Sequence, residues 1–187
     1  MQKMNRLVTG SSEQRNNEIL DAGLALVLKN GLRGTSMEQL AREAGIAKPT
    51  LYSYFSNKDA VFRAIAERLF GQMRQRIESS LSGSGDLSFR ISLALSAKHK
   101  MIFTLLAGSP HSEEIYSENS KFASKEICAF EDWLQLKIDG ALANSDRQFP
   151  QNYGKLLIAC SYGITNSASD ASEIGPAIRL MVTKMLA

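Results

Sequence analysis

The 187-residue chain is predicted to be all-α, on three observations. Apolar residues recur at three- and four-residue steps through most of its length, and alternating strand patterns are hard to find. Breakers such as Asn30-Gly31, Ser82-Gly83-Ser84-Gly85 and Gly108-Ser109-Pro110 then cut the chain into pieces of helical length. The expected architecture has about nine helices. An N-terminal three-helix unit occupies residues 1–58 and a C-terminal helical unit residues 59–187.

The first unit opens on a short polar leader containing Lys3 and Arg6, ahead of Ser11 and Ser12 as helix caps. Either the leader is a solvated tail or its two cations form a flexible basic arm. Ile19, Leu20 and Ala22 lie in the first helix, which stops at Asn30-Gly31. Ser36 and Gln39 stand three apart, the reciprocal arrangement that satisfies free amides at a helix start, so a second helix begins at Ser36 or Met37. Met37, Leu40, Ala41 and Ala44 give it one narrow apolar side, while Glu38, Arg42 and Glu43 face water. Gly45 closes it, because glycine takes the left-handed conformation needed to reverse the chain. A third helix opens at Pro49, where a missing amide costs nothing, with Leu51 and Phe55 turned inward beside Ile46.

Two such helices joined by a turn of about three residues bury one seam and present the second helix as a probe that fits a DNA major groove. Lys48, Thr50, Tyr52, Ser53 and Tyr54 remain outside: a cation, hydroxyls and rings ending in hydroxyls, suited to groove and backbone contacts. Lys58 follows the helix and is expected to grip a phosphate. The run from Ser11 to about Ile65 resembles the N-terminal domain of the tetracycline repressor (TetR) family of bacterial transcriptional regulators. The likeness lies in Ile19, Leu20, Ala22, Asn30-Gly31, Thr35, Ser36, Leu40-Ala41, Ala44-Gly45, Thr50-Leu51-Tyr52, Phe55 and Lys58. Ala47 and Pro49 depart from it, since the family usually places Ser or Thr at the first and often Gly at the second. Residue by residue, the resemblance implies double-stranded operator DNA as partner, touched by Thr35, Ser36, Lys48, Pro49, Thr50, Tyr52, Ser53, Tyr54 and Lys58.

The charge distribution agrees. The chain carries a net charge of +3, and residues 1–58 hold eight Lys and Arg against five Asp and Glu. Residues 59–187 hold fourteen of each, so the whole excess sits beside the helix pair.

In the C-terminal unit a fourth helix starts at Ser56 or Asp59, and its stripe of Val61, Ile65, Leu69, Met73 and Ile77 runs on toward Ser82. Further helices are expected over 87–107, 119–143, from Pro150 to about Ser167, and from Ile174 or Pro176 to the end. The last two combine small residues (Gly154, Ala159, Ser161, Gly163) with Leu156, Leu157, Ile178, Met181 and Met185. They either complete the monomer core or form a hairpin that pairs with its copy about a two-fold axis, as is usual in the resembled family. In a dimer the two probes would stand about 34 to 36 Å apart and read successive half-sites.

The resemblance further implies a repressor on a palindromic operator, released when a small apolar effector enters the C-terminal helices. That makes the second unit a ligand-binding and dimerisation domain. Met101, Phe103, Leu106, Phe122, Phe130 and Trp133 are candidates to line such a pocket, or else form a plain core stripe. A protein partner in place of the small ligand is the alternative control. His99 and His111 are the only histidines and are expected at the surface, with no metal and no cofactor. Cys128 and Cys160 form no CxxC and are expected buried and unpaired. The chain shows no glycine loop for phosphate, no nucleophile elbow and no HExxH, and its acidic pairs Glu113-Glu114 and Glu131-Asp132 read as solvated helix charges, so catalysis is not expected. No apolar run of about 18 residues is present to span a bilayer, and Met1–Gly10 has no apolar signal core, which predicts a cytoplasmic protein without membrane contact.

Overall fold

The computed structural model describes residues 2–115 and 124–187. Its helices are α1 (Gln2–Asn30), α2 (Met37–Glu43), α3 (Lys48–Tyr54), α4 (Lys58–Leu81), α5 (Leu87–Leu106), α6 (Ser124–Ala143), α7 (Tyr153–Ser167) and α8 (Ala171–Met185). Residues 112–115 are helical as well. No strand occurs among the described residues.

These elements arise where the local chemistry places them, with three departures. The stretch read as a leader belongs to α1, so Ser11 and Ser12 lie inside a helix instead of capping it. Its residues include good helix formers and no proline, and an interior Gly10 costs only about 1 kcal/mol against alanine. Pro150 precedes α7 by three residues; the helix starts at Tyr153 after Asn152, whose φ of 62 turns the chain through the left-handed region. Pro176 lies inside α8, because capping begins upstream of it. The Asp170 carboxylate accepts the Ser172 amide at 2.7 Å, the Glu173 carboxylate accepts the Ser169 amide at 3.0 Å, and the helix has nucleated before the proline arrives. The Ser172 hydrogen bonds hold the Asp170 carboxyl below its ordinary range.

The chain divides into two compact units. The first comprises Met1–Arg68 with Gly108–Ser124. Its core is Ile19, Leu20, Val27, Leu40, Leu51, Val61, Phe62 and Ile65, all buried. Full burial of a leucine such as Leu40 or Leu51 contributes about 1.5–3 kcal/mol. Residues 109–114 close over the end of α1: the Ser109 hydroxyl donates to the Leu28 carbonyl at 2.7 Å, and the Arg33 amide donates to Glu114 Oε1 at 2.9 Å. Gly31, at φ +74, belongs here, since a Cβ on it would stand 2.2 Å from Glu114 Oε2.

The second unit, Leu69–Ala107 with Lys125–Ala187, has a core of Ile77, Ile91, Leu95, Phe130, Leu134, Ile138, Leu157, Ile174, Ile178 and Val182. The expected four-residue stripe of α4 is thus realised in two places, with Val61 and Ile65 in the first core and Met73 and Ile77 in the second. Cys128 is exposed and Cys160 half-buried, against the expectation that both are buried; both are free. No helix among the described residues is long and apolar enough to cross a membrane.

Candidate nucleic-acid interface

The helix pair is built by side chain and backbone together. Ser36 Oγ accepts the Gln39 amide at 3.2 Å while Gln39 Oε1 accepts the Ser36 amide at 2.8 Å, completing the reciprocal cap of α2. At the other end the Ile46 amide reaches the Ala41 carbonyl at 2.9 Å and the Gly45 amide reaches the Arg42 carbonyl at 3.2 Å, with Gly45 at φ +65. This double closure is the glycine stop that the sequence indicates, and it sets the angle at which α3 departs. Ala47 supplies no side-chain cap to α3, and Pro49 sits in its first turn. Leu51 is wholly buried and Phe55 nearly so, which fixes the rotation of the short helix about its axis.

That rotation leaves Lys48, Pro49, Thr50, Tyr52 and Ser53 exposed on one side, with Tyr54 half-buried at the edge. Tyr52 is 47% exposed, far more than a ring would be if its role were packing. The Ser53 hydroxyl donates to the Thr50 carbonyl at 2.7 Å, which leaves its oxygen lone pairs able to accept. Ser36 is exposed at the start of α2.

Two expected contacts stand elsewhere. Thr35 is 2% exposed and its hydroxyl donates to the Gly31 carbonyl at 2.7 Å, so its side chain ties down the loop after α1 and does not face a ligand. Lys58 is half-buried, and its ammonium donates to the carbonyls of Leu32 at 3.3 Å and Thr35 at 3.4 Å. A lysine at the start of α4 reaches both carbonyls, and in that position it braces the loop after α1.

The candidate pocket residues do not form one wall. Phe130 is 1% exposed at the centre of the second core, stacked on Phe70 at 5.0 Å and tilted against Trp133 at 5.8 Å. Met101 and Phe103 pack against that core partly buried, Leu106 is half-buried near the end of α5, and Phe122 lies outside the described residues. The stripe is therefore largely core.

Sequence reasoning missed what surrounds Phe130. Lys98, 1% exposed, donates to Glu131 Oε1 at 2.7 Å and to the Tyr162 hydroxyl at 2.6 Å, and that hydroxyl donates to the same Glu131 oxygen at 2.7 Å. Burial pushes the Lys98 pKa down, and the Glu131 carboxylate opposes the shift. His99, expected at the surface, is 2% exposed with Nε2 2.7 Å from Ser161 Oγ. Because Ser161 donates its own proton to the Ile158 carbonyl at 2.6 Å, His99 Nε2 must be the donor. Burial, then the adjacent Lys98 charge, lowers the His99 pKa to about 3, so the ring is neutral. Glu131, read as a solvated charge, is 29% exposed. A signal was available: Lys98 falls on the buried stripe of Ile91, Ala94 and Leu95, a cation where the period demands an apolar residue.

Residues 19–65 match the family described as bacterial regulatory proteins, tetR family. The chain is 31% identical over 91 residues to a fatty acid metabolism regulator protein of Bacillus subtilis, covering 49% of this chain and 45% of that protein. It is 30% identical over 101 residues to the HTH-type transcriptional repressor KstR2 of Rhodococcus jostii, covering 50% of each. It thus spans about half the length of these relatives. Among solved structures, the transcriptional regulator FadR of Bacillus subtilis in complex with stearoyl-CoA superimposes with a TM-score of 0.68 at 17% identity, over 91% of this chain and 98% of that one. A transcriptional regulator of Pseudomonas aeruginosa gives 0.73 at 15% identity, over 94% and 91%. At such identities the structural matches establish the fold.

Proposed function

We propose that this chain, which belongs to the tetR family of bacterial regulatory proteins, is a transcriptional regulator that binds a palindromic operator as a homodimer and is released by a small-molecule effector. The observation that carries the reading is α3: a short helix, locked in rotation by Leu51, that leaves Lys48, Thr50, Tyr52 and Ser53 together on an open side. Lys48, Thr50, Tyr52, Ser53 and Tyr54 read and grip the duplex, Pro49 and Ser36 approach its backbone, and Thr35 and Lys58 hold the loop that positions them. Residues 1–58 carry the reading function and residues 59–187 the regulatory one.

The two-fold partner is another copy, paired through α7 and α8. Leu156 and Leu180 are 48% and 63% exposed on these helices, and an apolar groove lies along Cys160, Gly163, Ile164, Ala168, Ala177 and Met181. The stearoyl-CoA in the Bacillus subtilis FadR structure supports a small effector with an apolar body. The relatives are regulators and repressors, which favours regulation over catalysis. Selection of bound duplexes from a random pool tests the reading. A dimer returns inverted half-sites centred about one helical turn apart, and failure to retain any duplex overturns it.

A further inference from the structure

The ion pair inside the second unit has an unusual arrangement. Lys98 stands at its inner end, 1% exposed, and Glu131 at its outer end, 29% exposed, with the Tyr162 hydroxyl touching both. A carboxylate thus reaches inward from partial solvent contact to a cation that cannot reach outward. Around the Phe130 ring the charges do not balance. Lys98 Nζ lies 6.0 Å from its centroid and the Arg74 guanidinium 5.8 Å, and Arg74 Nε is buried without a hydrogen-bond partner. Lys137, near Trp133, is by contrast paired with Glu78 at 2.9 Å. Two cations therefore flank an aromatic cluster in which Glu131 pairs with Lys98, and the cluster itself is the buried Phe130 with the partly buried Phe70 and Trp133 against it.

From this geometry we propose that the Lys98–Tyr162 pair is a carboxylate-binding site for the effector, occupied in the free protein by Glu131 as a tethered substitute. The inference rests on the effector-gated reading above and specifies its ligand as an apolar body ending in one carboxylate. The incoming carboxylate takes the Lys98 ammonium and the Tyr162 hydroxyl, its apolar part lies against the partly buried Phe70 and Trp133, and Glu131 swings out to water from its partly exposed position. Such exchange replaces one charge-assisted pair by another and adds apolar burial, so it favours the acid over its uncharged analogues. It also couples ligand to fold, because Glu131 is on α6, Lys98 on α5 and Tyr162 on α7, and all three helices feel the exchange.

The chain has a single tryptophan, so the fluorescence of Trp133 reports the site without any DNA. The full-length protein is titrated with decanoate and phenylbutyrate, with their methyl esters, and with decanoyl-CoA. The acids are expected to bind at least about tenfold more tightly than the esters, the difference a charged hydrogen bond supplies. Lys98→Met is expected to remove that preference, and Tyr162→Phe, which keeps the charge, to reduce it. Glu131→Gln removes the competing carboxylate while keeping an acceptor, and is expected to tighten acid binding, which a purely structural pair would not do. Equal binding of acid and ester, unchanged binding by Lys98→Met, weaker acid binding by Glu131→Gln, or a response to decanoyl-CoA with the acids inert each overturns the proposal. Release of DNA by an ester that ignores Lys98 overturns this site and leaves the effector reading standing. No release of a selected duplex by any compound counts against the effector reading itself.

Discussion

Replacing Lys98 by Met and Glu131 by Ala, singly and together, is expected to give sharply unequal losses of stability, because the two charges differ in their access to water. Glu131→Ala leaves an ammonium that is 1% exposed with only the Tyr162 hydroxyl at 2.6 Å as its partner. Breaking a buried pair from that side costs about 3–5 kcal/mol, and the lower end applies if the lysine sheds its proton, the direction in which burial already drives it. Lys98→Met leaves a carboxylate that is 29% exposed and can rehydrate, while the thioether fills the volume of the lysine stem. This variant should lie within about 1 kcal/mol of the parent, since apolar replacement of a buried charge is often neutral or stabilising. The double variant should recover most of the Glu131→Ala loss, giving a coupling of about 2–4 kcal/mol. Urea unfolding followed by helical circular dichroism at one fixed protein concentration measures all four proteins, the fixed concentration being needed because self-association stabilises by mass action. If Lys98→Met loses as much as Glu131→Ala, or the double variant loses the sum of the two, the exposure argument is wrong.

Ser36→Ala removes the acceptor of the Gln39 amide and should lower stability by about 1 kcal/mol, read by the same denaturation; an unchanged midpoint would show that the cap is not used. Lys48→Ala should weaken DNA binding and flatten its salt dependence by about one unit. Lys58→Met should instead cost about 1 kcal/mol of stability with the salt slope unchanged, since its ammonium is bound to the Leu32 and Thr35 carbonyls; a reduced slope would restore it to the DNA contacts. His99 is neutral in the fold down to about 3 while the unfolded imidazole protonates below 6.5, so stability is lost as pH falls through that window, by about 2 kcal/mol at pH 5. His99→Gln should remove this part of the pH dependence, and an equally steep profile in the variant would contradict the assignment. Leu180→Glu should convert a dimer to monomer in sedimentation, and a persistent dimer would place the interface away from α8.

The all-α class, the capping box at Ser36 and Gln39, the stop at Gly45 and the inward pair Leu51 and Phe55 are written in neighbouring residues, because capping, turn reversal and helical period act within about four positions. The same local information identifies the open face of α3. Which polar side chain meets which is not local. Lys58 resembles a free cation until the carbonyls of Leu32 and Thr35, 26 and 23 residues away, are brought to it. Thr35 looks available until the loop after α1 folds its hydroxyl onto Gly31. His99 and Glu131 pass for surface groups in a sequence, and only the packing of α5 against α6 and α7 draws them and Lys98 together and forces each to find a partner. The sequence by itself determined the helices, their ends and the outward face of α3, since these follow from short-range geometry. The tertiary structure decided the fate of the buried charges, because desolvation depends on which segments distant in the chain close over them.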